Sequence, residues 1–138
     1  APAVGGSACT GKLSTLAGPT PDLEPTFASI QANIFELTES AGRNSCISCH
    51  TNVGRTPAGG LNLLHDVAND QLVNVTAGQR ADLKYVTPGN PDASYLLHKI
   101  DGRAGIVGLK MPRNGPPFMT EGQILILRRW IELGAPRN

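Results

Sequence analysis

Five consecutive residues, Cys46-Ile47-Ser48-Cys49-His50, constrain this chain more than anything else in it. Two thiols stand two residues apart and an imidazole follows at once. The only other cysteine is the remote Cys9, and an odd count of three argues against a disulfide framework. The close pair therefore needs a chemical partner other than a second cysteine pair, and the fold must present all three side chains to it.

The pattern C-x-x-C-H is the attachment signal for haem c. Its spacing has a chemical reason. The two thiols add across the two vinyl groups of the porphyrin as thioethers, and the adjacent histidine is then held beside the iron as its proximal ligand. The sequence thus predicts one covalently attached haem c on Cys46, Cys49 and His50. Three rivals compete. Structural zinc needs a fourth ligand, usually from a second Cys or His pair, and Cys9, His65 and His98 do not supply one. A thioredoxin-like redox motif needs a βαβ setting, and no strand pattern of any strength appears. Chance remains as the third.

The axial position opposite His50 takes methionine, histidine or nothing. The chain has two methionines, Met111 and Met119. Met119 precedes the expected N-cap Thr120, where an apolar residue packs back onto the first turn, here Ile124. Met111 has no such structural duty. It sits in a Gly- and Pro-rich loop with Pro112 stiffening the backbone just after it. Met111 is the expected sixth ligand. His98, off the apolar face of its helix, is expected at the surface or on a haem propionate, and His65 beside Asp66 reads as a turn residue. Lys110, next to Met111, is a candidate replacement ligand at high pH, where an ammonium loses its proton.

The rest of the chain reads as helices separated by turns. Residues 1–25 are dominated by Gly, Pro, Ser and Thr and read as a tail or linker before a haem domain over 26–138. Cys9 lies in that tail, as a free thiol or a site for a disulfide dimer of an otherwise monomeric protein. A first helix is expected from Phe27 to about Ser40, capped by Thr26 and stopped by Gly42. A short helix is expected from Val67 to Val75. Asn90-Pro91 opens another, with Ala93, Leu96, Leu97 and Ile100 on one face and Gly102 at its end. Residues 102–118 form a long loop broken by Gly105, Gly108, Pro112, Gly115, Pro116 and Pro117, a length that usually serves function. Thr120 and Gln123 form a capping box for a last helix, which Gly134 and Pro136 end.

Composition limits the alternatives. Of 138 residues 40% are hydrophobic but only 4% aromatic, so a bulky apolar cofactor would fill out a core short of large side chains. A net charge of +1 does not suit a nucleic-acid binder. The longest aliphatic run, Ile124 to Leu127, falls far short of the roughly 20 residues of a membrane span. The opening Ala1-Pro2-Ala3 reads as a mature terminus after cleavage or an arbitrary boundary. Lys99, Arg103, Lys110 and Arg113 outweigh Asp101, and their expected use is a weakly basic docking face for an acidic redox partner.

Taken together, Cys46-x-x-Cys49-His50, Met111-Pro112 and Trp130-Ile131-x-x-Gly134-Ala135 resemble the class I cytochrome c family. The stretch Pro88 to Leu97 resembles a bacterial branch of it, found alone and as haem domains of larger secreted or periplasmic proteins. The resemblance covers about residues 26–136. It implies an all-α, cytochrome c-like fold in which the first and last helices cross around one covalently bound haem, with Phe27, Ile30, Ile34, Leu127, Trp130 and Ile131 at the crossing. It also implies His50 and Met111 as axial ligands, one-electron transfer as the function rather than catalysis, and a periplasmic or secreted location. Many relatives orient the proximal imidazole with a proline carbonyl, for which Pro57 is the near candidate. Two other functions stay open: a haem domain of a larger secreted redox enzyme, and a five-coordinate haem that binds peroxide or a gas.

Overall fold

The computed structural model describes residues 24–38, 43–113, 115 and 118–138. Cys9, most of the expected tail, and the expected helix stop at Gly42 lie outside them. Among the described residues there are four α-helices: α1 (Phe27–Ile30), α2 (Ala68–Leu72), α3 (Tyr95–Asp101) and α4 (Glu121–Glu132). Short 3-10 turns at Cys46–Ser48, Ala58–Gly60 and Pro91–Ala93 join them.

This architecture overturns the expected all-α, cytochrome c-like fold with crossed terminal helices. Helix of every kind accounts for only 39% of the described residues. Only α4 exceeds two turns. Isolated bridges, Val73 to Val86, Thr76 to Lys84 and Lys84 to Ser94, are the only β-pairing described. Two local causes are visible. The apolar spacing at Phe27, Ile30 and Ile34 does give helix, but as one α turn that passes into a π turn over Gln31–Phe35. The Gln31 side-chain amide, in that π turn, donates to Leu63 O and to Glu36 Oε2, each at 2.8 Å. Leu37, the next residue of that apolar spacing, is 37% exposed. Elsewhere, residues 51–60 and 102–113 run as turns.

Local signals set the ends of the elements that do form. The Thr26 hydroxyl accepts from Ser29 N at 3.2 Å and caps α1. At α4 the capping box is complete: Thr120 Oγ1 accepts from Gln123 N (3.2 Å) and Gln123 Oε1 accepts from Thr120 N (2.9 Å). Such a cap contributes about 1 kcal/mol. Asn90 caps as expected, but the turn it opens is 3-10 and gives way to α3 at Tyr95. Gly102 ends α3 with φ +71°, a left-handed conformation open to glycine. A Cβ there would lie 2.8 Å from Lys110 Cδ, so the loop packs against the bare glycine.

One core joins these pieces. Ile126, Leu127, Trp130 and Ile131 on α4 are buried with Phe27, Ile30, Ile34 and Phe35. The Phe27 ring lies 5.4 Å from the Trp130 ring, and the indole Nε1 donates to Pro136 O at 2.9 Å, which ties down the C-terminus. The six residues expected at a helix crossing are thus all buried. The single turn of α1 is too short to make that contact a crossing of two long helices.

Candidate functional site

The Cys46–Ser48 turn is tight. Cys46 O accepts from both Cys49 N (3.3 Å) and His50 N (3.0 Å), so the imidazole follows directly on the thiol turn. The next residues fold back onto it. Ala58 N donates to Cys49 O (3.0 Å) and Leu63 N donates to His50 O (2.9 Å). This return brings the Leu61 carbonyl to 3.2 Å from His50 Nδ1.

That contact decides the imidazole's chemistry. A carbonyl can only accept, so Nδ1 carries the proton and donates, leaving the Nε2 lone pair available. Nε2 has no hydrogen-bond partner among the described residues. Burial holds the His50 pKa below its ordinary 6.5, the Leu61 and Ala58 backbone opposes this, and the charges of Arg55 and Lys99 add to the lowering. The ring is therefore neutral at pH 7, the form that binds a metal. The orienting carbonyl is Leu61's, not that of Pro57. No side-chain signal marks a carbonyl, and only the loop's path selects it.

Cys46 is half-buried and Cys49 exposed. Burial pushes the Cys46 thiol up to about 11, against the opposing pull of Arg43. Its Sγ–H lies 3.7 Å from Ile34 O in the π turn. Arg43 is 1% exposed and donates from Nη2 to the same carbonyl at 3.3 Å. A thiol that stays protonated at neutral pH is a poor disulfide-exchange nucleophile, which weighs against the thioredoxin-like rival. Among the described residues no group of three or more His, Cys, Asp and Glu is placed to hold a metal ion.

Cys46, His50 and Met111 line a pair of adjoining cavities of about 190 and 330 Å³, with Met119 in the walls of both. Cys49 lines only the larger. Phe35, Leu61, Leu63, Leu96 and Leu127 make the smaller one largely apolar. His65 and His98 line neither: His65 lies beside Asp66 and Glu36, and His98 Nε2 is 2.7 Å from Asp92 O.

The loop bearing Met111 is held from α3. Tyr95 Oη accepts from Val107 N (2.9 Å), Lys99 Nζ donates to Val107 O (2.6 Å), and Met111 N donates to Lys99 O (2.8 Å). Tyr95 and Lys99 are four residues apart and so share a helix face. Sequence reasoning missed this clamp, since the partners on the loop are backbone atoms. It also placed Lys99 and Arg103 on a basic surface. Instead Lys99 is buried, Arg103 pairs with Asp101 and Asp92, and the Lys110 ammonium lies 4.4 Å over the Phe118 ring. Arg113 is exposed. No helix among the described residues is long and apolar enough to cross a membrane. In comparisons with protein-family models, curated proteins and solved structures, the chain has no significant match.

Proposed function

We propose that this protein is a monohaem c-type electron carrier, with the porphyrin attached through Cys46 and Cys49 and the iron held between His50 Nε2 and Met111 Sδ. The observation that carries the reading is His50 itself. Its Nδ1–H is committed to the Leu61 carbonyl, its Nε2 has no hydrogen-bond partner among the described residues, and it stands in the wall of an apolar cavity walled also by Cys46 and Met111. A metal-binding histidine is ordinarily oriented this way. The donor set fits the cofactor: two cysteines at one edge, a neutral imidazole, a thioether, and an apolar lining for a flat ring.

When bound, the haem supplies a reversible one-electron change at iron. The chain's own residues do the rest. Leu61 O fixes the imidazole's tautomer and rotation. The α3 clamp holds Met111 at the cavity. A thioether and an imidazole as ligands would favour ferrous iron, and the apolar walls would disfavour the extra positive charge of the oxidised state, so both would raise the potential. Were His50 and Met111 both to hold the iron, small molecules would have no open site, and exchange of electrons with a partner protein would be the remaining use.

Absorption and magnetic spectra with a carbon monoxide titration test the ligation. Low-spin spectra in both redox states and no carbon monoxide binding are expected. A high-spin haem that binds carbon monoxide would move the function to the five-coordinate reading.

A further inference from the structure

The walls of the two cavities carry four cationic side chains and no carboxylate. Lys99 lines the smaller, Arg43 and Arg55 line the larger, and Arg113 lines both. Lys99 is the informative one. It is 8% exposed, and its ammonium has one described partner, the carbonyl of Val107. No Asp or Glu among the described residues pairs with Lys99 or Arg113, although Asp101, Asp92 and Asp82 pair with other arginines nearby. Burial, first, and the charge of Arg113, a second cation, both disfavour the Lys99 ammonium. Burying an ammonium beside another cation without an anion is unfavourable, because the desolvation cost is not offset. Such an arrangement is stable in use when the anion arrives with the ligand.

We propose that Lys99 and Arg113 form the anion-binding end of this cavity and take a carboxylate of the bound ligand. The cavity thus selects a flat apolar molecule carrying carboxylates at an edge. This rests on the haem reading, under which the ligand's acidic groups are the porphyrin propionates. Cys49 lines only the larger cavity and Lys99 only the smaller, while Cys46 and Arg113 line both. Anchoring by the Cys49 sulfur from one cavity and by the Lys99 charge from the other would fix the ring's rotation in its own plane. Lys99 would then hold the carboxylate with its free N–H bonds while keeping its bond to Val107 O.

The test uses the haem-loaded protein and its Lys99→Met, Lys99→Arg and Arg113→Gln variants. Two properties are read, the reduction potential and the carboxylate bands in the redox-difference infrared spectrum. Lys99→Met should lower the potential, since removing a cation favours the more positive oxidised haem, and should shift a carboxylate band. Lys99→Arg should restore both towards the parent. Arg113→Gln, at an exposed position that tolerates change, should move both in the same direction by less. Attached porphyrin with potential and bands unmoved in Lys99→Met and Arg113→Gln would overturn this inference and leave the electron-carrier reading standing. A parent protein without attached porphyrin would overturn both.

Discussion

The cavity has two kinds of wall. One, from Ser45 to Leu63, is closed largely by backbone bonds: a tight thiol turn, a short loop, and a return that puts Leu61 O on His50. The other, from Tyr95 to Met119, hangs a loop on the side chains of a helix. Met111 owes its place to α3, through backbone and side-chain bonds from Tyr95 and Lys99. A wall closed by backbone groups is little changed by the identity of the side chains around it. One held by side chains depends on several modest bonds at once, each worth about 1 kcal/mol. The proximal side should therefore be robust and the methionine side adjustable.

Substitutions at the cysteines should have the largest effect. Cys46→Ser with Cys49→Ser should abolish covalent attachment, so that any porphyrin bound is extracted by acidic organic solvent. Retention through extraction would mean that the thiol wall has been misread.

The methionine pair comes next. Met111→Ala should open the sixth position and convert the haem to high spin, with folding little changed. Met119, 8% exposed within the core, should behave in the opposite way. Met119→Ala should cost about 2–5 kcal/mol in denaturant unfolding while the low-spin spectrum survives. The reverse pattern would exchange the two roles.

A smaller effect is expected at Tyr95→Phe, which removes the acceptor for Val107 N. A loss of about 1 kcal/mol is predicted. Amide exchange should accelerate at Val107 and stay unchanged at Leu63, whose N–H donates to His50 O. Equal acceleration at both sites would erase the contrast between the walls.

The smallest effect is a dependence on pH confined to the haem-free chain. The buried Cys46 thiol holds its proton to about 11, whereas the unfolded chain releases it near 9.0. Its contribution to stability is full below 9.0 and is lost as the pH climbs towards 11, because only the unfolded state gains by ionising. Stability curves should show that decline in the haem-free protein, less of it in Cys46→Ala, and no such contribution once the sulfur is a thioether.

Distance along the chain explains what could be read from the sequence. The Thr120–Gln123 box and the Thr26 and Asn90 caps are local chemistry, and each forms as expected. The fold class was not legible. The periodicity of Phe27, Ile30 and Ile34 could not show that the α turn would pass into a π turn at Gln31. The turn-rich runs were seen as loops, but not how small a share of the chain they leave to helix. Within the site, Leu61 O, the Arg43 guanidinium on Ile34 O and the clamp on Val107 all use backbone partners beyond a single turn of chain. Such partners leave no trace in residue type. Within the expected basic face, charge read along the chain does not show that Lys99 turns inward.

The most direct test is the intact mass, under denaturing conditions, of the protein made in cells that attach haem to C-x-x-C-H sequences. The account predicts the polypeptide plus one haem, with the added mass confined to the peptide holding Cys46, Cys49 and His50. A bare polypeptide mass, from cells that load a control cytochrome, would contradict it.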